Sequence, residues 1–105
     1  MNDFISVYMT SASLDEAQII ARALVEEKLA ACVNILPKAR SVYCWQGQVE
    51  VAEEVVLIAK SRASLFTQLE MRVKSLNSYD CPCIVAMPIT AGHQPYLDWI
   101  KQETR

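Results

Sequence analysis

Two stretches of this chain are apolar without interruption: Val55-Val56-Leu57-Ile58-Ala59 and Cys83-Ile84-Val85-Ala86-Met87. Successive side chains of a strand point to opposite faces. A strand wetted on one face therefore alternates apolar and polar residues, and these runs do not alternate. Both faces of the sheet that contains them must be covered. Burying one large apolar side chain is worth ~1.5–3 kcal/mol. Leaving about five exposed would forgo roughly 10 kcal/mol, comparable to the ~5–15 kcal/mol stability of a whole domain. What covers the second face is thus the main question the sequence poses.

The remaining elements follow from periodicity and turn chemistry. Phe4 to Thr10 reads as a strand, with Ile5, Val7 and Met9 facing one way. Ser13 and Glu16 form a capping box. Leu14, Ala17, Ile20, Ala21 and Leu24 follow at helical spacing, and a helix is expected from about Leu14 to Leu29. Ala30 to Leu36 reads as a strand. Pro37 cannot donate to a ladder and marks a bend or bulge. Strand character resumes from Arg40 to Gln46, Gly47-Gln48 is the expected turn, and Val49 to Lys60 returns. A second helix opens in Ser61 to Ser64 and carries Leu65, Leu69, Val73 and Leu76 on one face. Asn77 to Asp80 reads as a turn, Cys83 to Ile89 as a fourth strand, and His93-Gln94-Pro95 leads into a terminal helix.

The order β-α-β-β-α-β plus a C-terminal helix is that of a ferredoxin-like α+β domain, an antiparallel sheet with two helices on one face. With 105 residues the chain has room for one such domain, residues 1–105. The terminal helix is too short to cover the whole second face. The hairpin from Ser41 to Lys60 exceeds the usual strand length of ~5–6 residues, and its edge needs a partner. A homo-oligomer is expected, the alternative being a monomer whose terminal helix folds over the second face.

Charge and composition exclude several classes. The formal net charge is −2, and no Lys/Arg stripe is present, so no nucleic acid partner is expected. The N-terminus has no basic, apolar leader, and no run is long enough to cross a bilayer, so no membrane partner is expected either. The expected compartment is cytoplasmic, where Cys32, Cys44, Cys81 and Cys83 remain thiols. His93 is the only histidine, and no acid–base or nucleophile pair is visible, so the chain does not read as an enzyme.

Cys81-x-Cys83 is the most distinctive chemical feature. In an extended segment both thiols project to one face. Two thiolates, with the Met9 thioether, suit Cu(I), because soft ligands select soft metals. The alternative is that these cysteines simply pack, as free cysteines often do. Cys32 follows Ala30-Ala31 and reads as a packing residue. Tyr43, Trp45, Tyr79 and Lys60 are candidates for a cleft or interface between subunits, the aromatics supplying contact area and Lys60 either meeting an anion or pairing with Glu53 or Glu54. Glu50, Glu53, Glu54 and Asp80 are surface carboxylates that hold a cation only if several converge.

Four segments carry a family resemblance. Ala23-Leu24-Val25-Glu26-Glu27-Lys28-Leu29-Ala30-Ala31-Cys32-Val33-Asn34 resembles "LVEE-x-LAACVN", and Ser41-Val42-Tyr43-x-Trp45-x-Gly47 resembles "SVY-x-W-x-G". Glu53-Glu54-Val55 with Leu57-Ile58-x-Lys60 resembles "EE-x-x-L-x-x-K", and Tyr96-Leu97-x-Trp99-Ile100 resembles "YL-x-WI". These are patterns of the CutA divalent-cation tolerance proteins. The resemblance implies a ferredoxin-like subunit in a tight homotrimer, similar to that of the PII signalling proteins. It implies a role in the response to metal ions, with copper or another divalent metal ion bound and no catalytic reaction. A PII-like sensor that takes a small molecule in intersubunit clefts is the alternative function. Cys32 matches a family cysteine, and the clefts would hold Tyr43, Trp45, Lys60 and Tyr79. One departure bears on the metal. Where the family usually has "H-P-Y-E-x-P-E", this chain has Asn77-Ser78-Tyr79-Asp80-Cys81-Pro82-Cys83. An imidazole site is not transferable, so any site here is made of sulfur.

Overall fold

A computed structural model describes residues 3–105. The chain runs β1 (Phe4–Ser11), α1 (Leu14–Glu26), β2 (Cys32–Trp45), β3 (Gln48–Arg62), a 3-10 turn (Ala63–Leu65), α2 (Phe66–Leu76), β4 (Ile84–Pro88) and α3 (Gln94–Glu103). The four strands form one sheet in the order β2-β3-β1-β4, with every pairing antiparallel. This is the expected ferredoxin-like arrangement with an added helix. No described helix is long and apolar enough to cross a membrane.

The alternation of β1 sorts the two faces. Ile5, Val7 and Met9 are buried against Ala17, Ile20 and Leu24 of α1 and Leu69 and Val73 of α2, joined by Val55, Leu57 and Ala59 of β3. The other parity of the same strands, including Tyr8, Ile58, Leu36 and Val85, lies on the opposite face. There α3 brings its Tyr96 hydroxyl to 3.3 Å from Cys32 Sγ. Ile100 of α3 is fully buried, yet Leu36, Val85 and Met87 remain exposed. The unbroken apolar runs are therefore explained: one parity fills the helix-covered core, and the other lies on a face that α3 covers in part.

β2 and β3 extend past the body as a long arm. Pro37 and Lys38 interrupt the ladder between Leu36 and Ala39, and Lys38 adopts a left-handed φ of 66°. The two expected strand segments thus form one bulged strand, the bulge falling where Pro37 withholds its donor. Beyond it, Val42 pairs with Val51 and Cys44 with Val49 on one side of the ribbon; Tyr43 and Trp45 take the other. Val42, Val49 and Val51 are 66%, 75% and 62% exposed. The arm raises the radius of gyration to 14.1 Å, against about 13 Å for an ordinary domain of this length.

Several boundaries move from their expected places. The arm turn is Gln46-Gly47, one residue earlier than expected, because both residues take positive φ (51° and 81°) as a type I′ hairpin requires. α1 stops at Glu26, short of Leu29, because Lys28 turns left-handed (φ 59°) and the Leu29 and Ala30 amides return to the Leu24 carbonyl. Leu29 still enters the core, so its apolar character extends the helical pattern past the true end. β3 continues to Arg62, and α2 begins only after the 3-10 turn, at Phe66. β4 begins at Ile84, leaving Cys83 just outside the strand.

Candidate functional site

The thiol pair sits at the end of the segment that joins α2 to β4. Cys81 is exposed and Cys83 half-buried; both are free thiols. Burial and the nearby Glu54 carboxylate push the Cys83 thiol above its ordinary value. A metal would displace that proton on binding, since only the thiolate is a ligand.

Met9 does not join the pair. It is 1% exposed, in the helix-covered core, and lies opposite Ile84 in the β1–β4 ladder. Cys83, one residue before Ile84, lies near Glu54, whose parity is that of the opposite face. A sulfur triad of Cys81, Cys83 and Met9 is therefore not assembled within the subunit, because β1's alternation commits Met9 to the core. Among the described residues no three His, Cys, Asp or Glu side chains converge as a metal-binding group.

What the structure does assemble here is a set of anchors on the preceding residues. The Asn77 side-chain amide donates to the Thr10 carbonyl at 3.0 Å, and its oxygen accepts the Tyr79 amide at 2.9 Å. The Ser78 amide donates to Glu16 Oε1 at 3.0 Å. The Tyr79 hydroxyl donates to Glu54 Oε2 at 2.7 Å. Burial and this carboxylate together push the Tyr79 phenol well above its usual range, so it remains a donor. Glu16 also accepts from Ser11 Oγ at 2.6 Å and the Ala12 amide at 3.4 Å. Burial alone would raise its carboxyl, but the bonds from Ser11, Ser78 and Ala12 outweigh burial and hold it below the usual value. Ser13 caps α1 as expected, accepting the Glu16 amide at 3.2 Å. The Glu16 half of the box does something the motif does not predict: it bridges to the Ser78 segment.

The other candidates fall elsewhere. Tyr43 and Trp45 lie on the arm, exposed. Lys60 is half-buried on β3, and its ammonium donates to Asn34 Oδ1 rather than to Glu53 or Glu54. Cys32 is half-buried against Tyr96, whose phenol is pushed up to about 12 by that hydrogen bond and by burial. The cleft candidates are thus spread over the arm, the open face and the α2–β4 segment. Within one subunit Tyr79 meets Glu54, which also bears on the Cys83 thiol, and Tyr43 adds to the upward push on the Tyr79 phenol. His93 precedes α3, exposed, with no side-chain cap bond.

A bulged ferredoxin-like sheet with an extended β2–β3 arm and a terminal helix on its second face defines the class of subunit. Comparison with known proteins makes the assignment specific. The family described as CutA1 divalent ion tolerance protein matches residues 5–103. The divalent-cation tolerance protein CutA of Thermus thermophilus is 48% identical over 98 residues, 93% of this chain and 95% of its own. That of Archaeoglobus fulgidus is 46% identical over 102 residues, 97% of each. A solved Thermus thermophilus structure, described as a divalent cation tolerance protein, matches with a TM-score of 0.95 at 46% identity. It covers 97% of this chain and 99% of its own. The chain belongs to the CutA1 divalent ion tolerance family, whose names describe divalent-cation tolerance.

Proposed function

We propose that this chain acts without catalysis, as a homotrimer, in tolerance of metal ions, and that it binds copper through Cys81 and Cys83. Family membership supports the tolerance role. The observation that carries the assembly is the arm, which exposes valines on one side and Tyr43 and Trp45 on the other. Contiguous apolar surface of this kind marks an interaction site. Leu36, Val85 and Met87 on the open face extend it beyond the arm. For the metal, the support is the accessible thiol pair at i, i+2 in place of an imidazole site. The cytoplasm is the proposed compartment, where such thiols stay reduced.

Two measurements test this. Sedimentation at micromolar concentration should give a trimer; a monomer overturns the assembly. Cu(I) titration against a competing chelator should show binding that the Cys81→Ser/Cys83→Ser protein has lost; equal affinity in that variant removes the thiols from the function.

A further inference from the structure

We propose that Glu16 and Tyr79 are positioning residues that fix the backbone leading into Cys81 and Cys83, an inference that rests on Cys81 and Cys83 being the metal-binding thiols. Residues 77–83 form no helix or strand between α2 and β4. Ordering a segment of that kind costs conformational entropy, which metal binding would have to offset if the fold did not. Here the fold orders its first half in advance, from three directions.

Glu16 supplies the first hold. It stands in the first turn of α1, where the helix N-terminus favours a carboxylate. One oxygen is fixed by Ser11 and Ala12 at the end of β1, which leaves the other aimed at the Ser78 amide. Asn77 supplies the second, its side chain spanning from the Thr10 carbonyl to the Tyr79 amide. Tyr79 supplies the third, reaching Glu54 on β3. Glu54 lies opposite Ala39, immediately beyond the bulge at the base of the arm. Only Asp80 then separates the last anchor from Cys81, and Pro82 fixes φ between the two thiols. Removing a hydrogen-bonding partner of a metal ligand typically costs ~10–100-fold in affinity, and anchors one step further from the ligands belong at the low end of that range. Glu16 and Tyr79 touch no metal in this scheme; they act through the backbone that carries the thiols.

The test measures Cu(I) affinity by competition with bicinchoninate for the full chain and for Glu16→Ala, Glu16→Gln, Tyr79→Phe and Cys81→Ser/Cys83→Ser. Loss of binding in the double serine protein, with about tenfold weaker binding in Glu16→Ala and Tyr79→Phe, supports the proposal. Glu16→Gln keeps a carbonyl for the Ser78 amide, so it should recover most of the lost affinity. Ser78 amide exchange should accelerate in Glu16→Ala and not in Glu16→Gln. If the double serine protein binds as tightly as the original, the thiol reading itself fails. If it loses binding while Glu16→Ala and Tyr79→Phe do not, the thiols stand and the positioning role is overturned. Equal affinities of Glu16→Gln and Glu16→Ala also overturn it. Tyr79→Phe removes a single oxygen, so it carries the test if Glu16→Ala fails to fold.

Discussion

Replacing Val51 by Asp tests the arm as an assembly surface. Val51 is 62% exposed in the single subunit, so the substitution takes little from the subunit's own core. Surface changes away from special features usually stay within about 0.5 kcal/mol. The assembled state is different. Full burial of a valine is worth ~1.5–3 kcal/mol, so covering the exposed part of Val51 contributes ~1–2 kcal/mol per subunit. A symmetric trimer carries three copies, or ~3–6 kcal/mol, and desolvating the carboxylates adds to the penalty. At ~1.4 kcal/mol per tenfold, the trimer dissociation constant should rise by about a hundredfold to ten-thousandfold. Sedimentation across a dilution series reads this directly, with circular dichroism confirming that the subunit remains folded. Met71 of α2 provides the control. It is 66% exposed but lies on a helix, away from the arm, so Met71→Asp should leave assembly unchanged. A Val51→Asp protein that dilutes like the original, or a Met71→Asp protein that dissociates equally, would refute the assignment of the interface to the arm.

Four further outcomes are expected. Leu57→Ala, at a fully buried position between β1 and β2, should lower stability by ~2–5 kcal/mol in urea unfolding. Gly47→Ala meets no neighbouring atom but forces a Cβ onto φ +81°, so it should cost ~1–2 kcal/mol through backbone strain alone; an unchanged urea midpoint would contradict the strained turn. Ser61→Ala removes a buried hydroxyl that donates to the Leu29 carbonyl at 2.6 Å and leaves that acceptor unpaired, for a loss of ~1–3 kcal/mol. Glu16 has a carboxyl held below its unfolded value, so its contribution is fully present above the unfolded pKa and is lost as pH falls through the folded one; Glu16→Gln should therefore flatten the acid limb of a urea-midpoint profile from pH 7 to pH 3.

The fold is legible in the sequence because its strongest signals are periodic. Ala17, Ile20, Ala21 and Leu24 of α1 and Leu69 and Val73 of α2 all enter the core from positions that helical spacing picks out, as Ile5, Val7 and Met9 do from strand alternation. Pro37 announces the bulge through the donor it lacks. Two of the boundaries that move are set by positive φ at residues other than glycine. Lys28 ends α1 and Gln46 opens the arm turn, and neither residue type advertises a left-handed backbone. An apolar run also cannot say which of its residues face which layer until the strands are paired.

The same limit separates the readable part of the candidate site from the unreadable part. Cys81 and Cys83 are neighbours in sequence, so their pairing is a matter of spacing. Ligand chemistry groups Met9 with them, whereas its alternation with Ile5 and Val7 assigns it to the helix-covered core; the β1–β4 register, which sets Met9 against Ile84, resolves that conflict in favour of the core. Glu16 is readable as a capping residue, but its bond to Ser78 spans 62 positions, and Tyr79 to Glu54 spans 25. Such contacts exist only once α1, β3 and the α2–β4 segment are packed together. They also give Glu54 a double position, at the base of the arm and against the segment that carries the thiols. One hydrogen bond therefore ties that segment to the strand from which the arm extends.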